Sequence, residues 1–162
     1  MVHLTTDISD DLGNEAHVAN TGFRDYGGRI IFSGLISTVK CHEDNSLVRV
    51  ALSEPGHGRV LVVDGGGSTR CALLGDILAT LGTTNNWSGL VINGCIRDSV
   101  EIATIDIGVK AIATHPRKSV KRGDGERDIT VHFAGIDFRP GDQLYADSDG
   151  VVVSARPVEQ VL

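Results

Sequence analysis

Two short runs of consecutive apolar residues constrain the fold of this 162-residue chain more than any other feature. Residues 60–64 read VLVVD and residues 90–95 read LVINGC, and residues 109–114 predict a third strand. Such runs are typical of parallel strands that are buried on both faces, because helices cover the sheet. The intervening residues, from about 76 to 86 and from 98 to 105, favour helices. The sequence therefore predicts an α/β fold built on a parallel sheet.

The other segments predict shorter elements around this centre. They are a helix from residue 6 or 7 to 12, strands at 29–32 and 35–41 separated by Ser33 and Gly34, a helix from Asp44 and Asn45 to about 52, a strand at 129–133, and a hairpin of 143–147 and 151–154 that turns at Asp149 and Gly150. The sequence contains no linker-like segment or internal repeat, and its length is usual for one domain. We therefore expect a single domain over residues 1–162.

Charge, cysteine content and hydropathy disfavour several classes of protein. The net charge of −6 disfavours nucleic-acid binding. Three cysteines without a CxxC motif are typical of free thiols in a reducing compartment. No apolar stretch approaches the roughly 18 residues of a membrane helix, and the N-terminus lacks the features of a signal peptide. We expect a cytoplasmic protein with no direct nucleic-acid or membrane partner. One basic run, typical of a solvated loop, consists of Arg117, Lys118, Lys121, Arg122 and Arg127.

The glycines that follow the first apolar run resemble a nucleotide-binding loop only superficially. Residues 65–68 read GGGS, but GxGxxG and GxxxxGK[ST] are absent, and residues 82–85 offer no acidic group to bind a ribose. A tight turn is the favoured interpretation. GxSxG is absent as well, and the six histidines do not have the spacing of a zinc site.

Polar groups follow two of the predicted buried elements. Gly75 and Asp76 begin a helix, where free backbone amides would face an anion. Arg97 and Asp98 follow the strand at 90–95, at the edge where α/β proteins bind ligands, and Glu101 lies one helical turn later. Two interpretations are open. One is a surface Arg–Asp pair in which Asp98 caps the helix, and the other is a site in which Asp98 binds Mg²⁺ or Mn²⁺.

A metal site at these residues would suit a 2-oxo acid, whose carboxylate and keto oxygen chelate one cation. Asp76 and Glu101 would hold the water molecules of the cation, and Arg97 would bind a carboxylate or a developing oxyanion. Retro-aldol cleavage or decarboxylation would leave a pyruvate enolate that the cation and Arg97 stabilise. Because no histidine or lysine is adjacent to the motif, water on the cation is the expected proton carrier.

At these residues the sequence resembles the RraA-like family. This family comprises the regulator of ribonuclease E activity A and the class II 4-hydroxy-4-methyl-2-oxoglutarate aldolases. The similarity extends from GGR at 27–29 through VLVVDGGGSTRCALLGD, GLVINGCIRD and DIGVKAIATHPRKS to PGDQLYADSDGVVV. Its specific part is an aspartate, twenty intervening residues, Arg-Asp and an acidic residue three positions later. These positions, which mark the members with lyase activity, are Asp76, Arg97, Asp98 and Glu101.

The resemblance implies a fold, an assembly and an activity. The fold would be a swivelling β/β/α domain, a single layered αβ domain, in homotrimers or dimers of trimers with sites at subunit interfaces. The activities would be metal-dependent cleavage of 4-hydroxy-4-methyl-2-oxoglutarate to pyruvate, and decarboxylation of oxaloacetate. The alternative that the resemblance implies is a regulatory protein that binds and inhibits ribonuclease E, for which an acidic surface is suitable. Similar proteins have also been interpreted as menaquinone methyltransferases, which the short chain and the missing ribose acid disfavour.

The resemblance also implies roles for single residues. Asp98 would hold the divalent metal, and Arg97 would bind the substrate. Asp76 and Glu101 would act with Arg97 in catalysis. The further substrate contacts would come from the start of one helix, at Gly75, Asp76, Ile77 and Leu78.

Overall fold

A computed structural model describes residues 4–158 of the chain. The helices are α1 (Thr5–Leu12), α2 (Ser46–Ser53), α3 (Asp76–Thr84) and α4 (Ser99–Ile102), with a 3₁₀ turn at Gly13–Glu15. The strands are β1 (His17–Val18), β2 (Arg24–Asp25), β3 (Phe32–Lys40), β4 (Val60–Asp64), β5 (Ala72–Leu74), β6 (Gly89–Ile96), β7 (Gly108–Thr114), β8 (Glu126–Arg127), β9 (Val131–Phe133), β10 (Ile136–Phe138), β11 (Gln143–Asp147) and β12 (Gly150–Ser154).

Most of the strands form one mixed, curled sheet in the order β1-β12-β11-β3-β4-β6-β7-β2. Its centre, β3-β4-β6-β7, is parallel, and β5 adds a short parallel pairing to β6. The flanking strands are antiparallel, as is the separate hairpin of β9 and β10. The predicted α/β class is therefore confirmed. The parallel centre also brings the carboxyl ends of β3, β5, β6 and β7 to one edge of the sheet.

Two apolar layers cover the two faces of the parallel centre. In β4, Leu61 and Val63 pack into the layer beneath α2 and α3, whereas Val60 and Val62 pack into the opposite layer. That opposite layer also contains Phe32, and the rings of Phe133 and Phe138 lie stacked within it. Because alternate side chains of a strand point to opposite faces, a strand buried on both sides is apolar at every position. This arrangement accounts for the uninterrupted VLVVD run.

The predicted strand at 29–32 does not form, because β3 begins at Phe32, and the predicted break at Ser33 and Gly34 is wrong, because β3 runs through both residues. A Cβ atom at Gly34 would collide with the carbonyl oxygen of Gly58. The glycine therefore allows the close approach of a neighbouring segment and does not make a turn. The predicted helix at 98–105 is also shorter than expected, since α4 spans only Ser99–Ile102.

Several smaller expectations can be compared directly with the structure. The three cysteines are free and buried, as predicted. The final hairpin forms as expected, although Asp147 pairs with Gly150, so the connecting residues are Ser148 and Asp149. Within residues 4–158, no helix is long and apolar enough to cross a membrane.

Candidate functional site

Four segments converge at the carboxyl edge of the parallel strands and line a pocket of about 160 Å³. Asn45 follows β3, Gly75 follows β5, Arg97 follows β6, and Lys118 lies on the loop after β7. The carboxyl edge is the usual ligand-binding side of such sheets. The volume is below the roughly 300 to 1,000 Å³ of pockets for drug-sized ligands. The pocket is therefore of a size that suits a small molecule.

Hydrogen bonds join the two halves of the Asp-x₂₀-Arg-Asp motif. The Asp76 backbone N–H donates to Asp98 Oδ2 at 3.1 Å, and the Arg97 N–H donates to the Leu74 carbonyl at 2.9 Å. Gly75 lies between these contacts, and a Cβ atom there would be 2.8 Å from Asp98 Oδ2 and 3.5 Å from Arg97 Nε. Its φ of −126° is accessible to any residue. The glycine is thus required for space, because it leaves room for the Asp98 carboxylate.

Asp98 has an unusual backbone conformation, with φ 57° and ψ 42°. A non-glycine residue in this left-handed region costs roughly 1–2 kcal/mol. Although Asp98 precedes α4, its side chain makes no capping hydrogen bond to that helix. The capping interpretation is therefore wrong. The exposed carboxylate instead lines the pocket and accepts the hydrogen bond from Asp76.

The amides at the start of α3 are not all free, contrary to expectation. The Asp76 N–H donates to Asp98, and the Ile77 N–H donates to Asp76 Oδ1 at 2.9 Å. Two carboxylates of the chain itself therefore satisfy these amides. The contact with Ile77 also holds the Asp76 side chain at the pocket, where Ile77 and Leu78 are lining residues as well.

The structure brings six of the seven predicted site residues together, and the seventh, Glu101, does not line the pocket. Glu101 is exposed on α4. The rule that residues three apart share a face applies when both are helical, and Asp98 is left-handed. The spacing alone therefore does not establish that Glu101 lies beside Asp98, and its catalytic role stays a prediction.

The pocket also contains basic residues that the sequence motifs do not include, namely Arg49, Lys118 and Lys121. Both lysines belong to the run interpreted as a solvated loop. Their position after β7, at the same edge as Arg97, is the signal that could have identified them. Among the described residues, no carboxylate oxygen lies within 4.0 Å of the charged groups of Arg49, Arg97, Lys118 or Lys121.

Asp98 is the side chain best placed to hold a divalent cation. Its carboxylate is a hard oxygen donor of the kind that Mg²⁺ and Mn²⁺ prefer, and it has no cationic partner within the described part of the chain. Across residues 4–158, His, Cys, Asp and Glu side chains form no group of three able to hold a metal. Because Mg²⁺ keeps several water molecules and often takes further ligands from substrate, one carboxylate fits such an ion.

The GGGS segment forms a tight turn, as predicted. Gly66 and Gly67 have φ values of 67° and 72°. The Gly66 N–H donates to Asp64 Oδ1 at 3.0 Å, and the Gly67 N–H donates to the Asn93 carbonyl at 3.1 Å. These amides are occupied within the chain, so the turn does not present them to a phosphate.

Comparisons with known proteins agree on the family of the chain but not on one function. The family model RraA-like, described as Aldolase/RraA, matches residues 5–153. A protein of Alkalilimnicola ehrlichii, provisionally named 4-hydroxy-4-methyl-2-oxoglutarate aldolase, is 64% identical over 96% of this chain and 97% of its own length.

Two solved structures are similar over nearly their whole length. One is described as the S-adenosylmethionine:2-dimethylmenaquinone methyltransferase of Geobacillus kaustophilus, with a TM-score of 0.93, 49% identity, and coverage of 96% of this chain and 97% of that chain. The other is described as the RNA-processing inhibitor RraA of Thermus thermophilus, with a TM-score of 0.95, 43% identity, and coverage of 99% of this chain and 98% of that chain.

Proposed function

The chain belongs to the RraA-like family, and from this membership and its pocket we propose that it is a divalent-metal-dependent lyase of small 2-oxo acids. The observation that carries the proposal is the convergence of Gly75, Asp76, Arg97 and Asp98 on one small pocket. The proposed reactions are cleavage of 4-hydroxy-4-methyl-2-oxoglutarate to two molecules of pyruvate, and decarboxylation of oxaloacetate to pyruvate.

The cleavage is balanced without any redox partner. The bond between C3 and C4 breaks, and its electron pair stays on C3. The hydroxyl on C4 loses its proton and becomes the keto group of one pyruvate, while C3 gains a proton to form the other. A divalent cation held by Asp98 would supply Lewis-acid stabilisation of the negative charge that develops on the C2 oxygen as the enolate forms.

Two side chains of the pocket have roles in this proposal. The Arg97 guanidinium, which has no acidic partner among the described residues, binds the C1 carboxylate or the developing oxyanion through paired N–H donors. Asp76, held by the Ile77 N–H, orients water at the pocket. Both act from the ends of regular elements, which keeps them in a fixed geometry.

We also propose that the protein acts as a homotrimer with its sites at subunit interfaces, in the cytoplasm. Ile77 of α3 lines the pocket and is 70% exposed, and Val100, on the neighbouring helix α4, is 78% exposed. A neighbouring chain would bury these apolar side chains and could bring Glu101 of α4 to a shared site. The unpaired cysteines suit a reducing compartment. Light scattering during size exclusion measures the assembly, and a monomer would contradict this part of the proposal.

The lyase proposal is tested by pyruvate formation from both substrates, with Mg²⁺ or Mn²⁺ present or chelated. The wild type should turn over both substrates only with metal, and Asp98→Ala should lose this activity. Because free cations decarboxylate oxaloacetate unaided, only the rate above that of Asp98→Ala counts. Asp10→Ala, an exposed aspartate on α1 outside the pocket, is the matched control. Equal activity of the wild type and Asp98→Ala would refute the site.

A second candidate function is inhibition of ribonuclease E. It is favoured by the similarity to the RNA-processing inhibitor of Thermus thermophilus and by the net charge of −6, which suits basic partner segments. We expect association with ribonuclease E that weakens as salt is raised. A pull-down without association at low salt would exclude this function. The two functions are compatible, because the regulatory surface need not include the pocket.

A further inference from the structure

One wall of the pocket is formed by a loop that carries two lysines. This segment, residues 117–124, is here called the lysine loop. Lys118 and Lys121 line the pocket together with Arg49 of α2, on the side of β3 and β7. Including Arg97, the lining has four cations and only two carboxylates, Asp76 and Asp98. In a chain with net charge −6, this local excess of positive charge marks a site for anions.

The charges of the lysine loop contrast with the paired cations elsewhere on the surface. Arg70 pairs with Glu43, and Arg29 pairs with Asp106 at 3.0 Å. Neither Lys118 nor Lys121 has such a partner within residues 4–158. Their ammonium groups therefore remain available to a ligand in the pocket.

The lysine loop is fastened to the turn that precedes α2, mainly by the carboxylate of Asp44. Asp44 Oδ2 accepts hydrogen bonds from the backbone N–H groups of Arg122 at 2.8 Å and Asp124 at 3.2 Å. Asp44 Oδ1 accepts from the hydroxyl and the N–H of Ser46. With only 1% of its surface exposed, Asp44 is a buried anchor that links the turn to the loop.

Further bonds fix the same loop along its length. The Val120 N–H donates to the Glu43 carbonyl at 3.1 Å, and the Ser119 hydroxyl oxygen accepts from the Asn45 N–H at 3.1 Å. At the other wall, the Ala72 N–H donates to the Arg117 carbonyl at 2.8 Å. The backbone of the segment is thus held on both sides of the pocket, so the ligand does not have to order the loop that carries the lysines.

We propose that Lys118 and Lys121, with Arg49, bind the second carboxylate of a dicarboxylic 2-oxo acid, and that Asp44 is the positioning residue for this subsite. The inference rests on the proposed lyase function, and it names the residues that would make the enzyme specific for dicarboxylic substrates. Arg97 and Asp98, which follow the carboxyl end of β6, bind the 2-oxo acid end of the substrate, while the lysine loop binds the remote carboxylate. The protein should therefore prefer dicarboxylic to monocarboxylic substrates.

The preference is tested with two substrates that differ only in the remote group. 4-Hydroxy-4-methyl-2-oxoglutarate has the second carboxylate, and 4-hydroxy-4-methyl-2-oxopentanoate has a methyl group in its place. Because hydrogen bonds to charged groups contribute substantially, kcat/KM of Lys118→Met/Lys121→Met should fall by about tenfold or more for the diacid. It should stay within about twofold for the monoacid. Arg122→Met, which removes a charge from the same loop outside the pocket lining, is the control and should match the wild type.

The positioning role of Asp44 is tested by Asp44→Asn in the same assay. The amide retains the shape but presents an NH₂ group to two backbone donors, so the loop should shift. We expect KM for the diacid to rise while kcat for the same substrate is unchanged. General destabilisation would instead lower kcat and leave KM unchanged, because it reduces only the amount of folded enzyme. A wild type without diacid preference, or a lysine double variant that keeps it, would overturn the inference.

A binding measurement separates failure of this inference from failure of the lyase proposal. Calorimetry with Mg²⁺ compares 2-oxoglutarate with 2-oxopentanoate, which lacks the second carboxylate. If the wild type cleaves neither substrate but binds 2-oxoglutarate more tightly, and the lysine double variant does not, the subsite stands and the lyase proposal fails. Equal affinity for the two acids refutes the subsite whatever the turnover.

Discussion

The anchoring carboxylate of Asp44 leads to a quantitative prediction about stability. Burial raises the pKa of this carboxyl, but hydrogen bonds from the hydroxyl and N–H of Ser46 and from the N–H groups of Arg122 and Asp124 lower it more. The resulting pKa is about 2, against an ordinary value of 3.8. At 1.36 kcal/mol per unit, the charged form stabilises the folded state by about 2 kcal/mol at neutral pH.

Asp44→Asn should remove this contribution. We expect a loss of about 2 kcal/mol in the free energy of unfolding at pH 7, or about 4 to 8 °C in Tm for a chain of this size. Because the folded pKa is depressed, the stabilisation is complete above pH 4 and is lost as the pH falls towards 2. At pH 3, roughly half of the difference between wild type and variant should remain.

The assay is urea denaturation followed by circular dichroism at pH 7 and pH 3, at one fixed protein concentration because assembly shifts apparent stability. Asp124→Asn is the matched control. Its backbone N–H contacts Asp44, but its own side chain is exposed, so it should cost less than about 0.5 kcal/mol. A variant at residue 44 as stable as the control, or an undiminished difference at pH 3, would refute the reasoning.

Two further substitutions separate the requirements of the site from those of the core. Gly75→Ala places a Cβ atom 2.8 Å from Asp98 Oδ2. We therefore expect kcat/KM to fall by about tenfold or more, while the free energy of unfolding changes by less than about 1 kcal/mol. Unchanged kinetics would show that the carboxylate has room to move. Lys110→Met removes a lysine that is 2% exposed and that contacts Asp25 at 3.1 Å and the Asp147 carbonyl. Because Asp25 is left without its partner, the free energy of unfolding in urea should fall by about 3 kcal/mol. A loss below about 1 kcal/mol would mean that water screens this pair.

The parts of the fold that could be predicted from the sequence are those whose burial leaves a local pattern. β4 and β6 are apolar throughout because both of their faces are covered, and their sequences show it. The strands that escaped prediction, such as β5 and β10, have three residues each and form through pairing with other strands. A segment of that length has no detectable periodicity. The break predicted at Gly34 is wrong for a related reason, because the segment that approaches this glycine, at Gly58, is distant in sequence.

The same distinction applies to the site. Gly75, Asp76, Arg97 and Asp98 were predicted because they form a motif at the ends of recognisable elements. The lysine loop was not, because its position depends on hydrogen bonds between Asp44 and residues 78 and 80 positions later in the chain. The left-handed backbone of Asp98 is a local detail that charge spacing does not reveal, and Glu101 does not line the pocket within one chain.

The fold of this chain does not by itself select among the functions named for its relatives. Structures described as a methyltransferase and as an RNA-processing inhibitor have TM-scores of 0.93 and 0.95 with it. Functional differences on a shared fold must arise from the groups in a site. The glycine turn after β4 uses its amides on Asp64 and Asn93, which argues against a nucleotide-type cofactor there. The pocket at the neighbouring strand ends combines the Asp98 carboxylate with cations that have no acidic partner within residues 4–158, and this combination is the basis of the proposed metal-dependent chemistry on small acids.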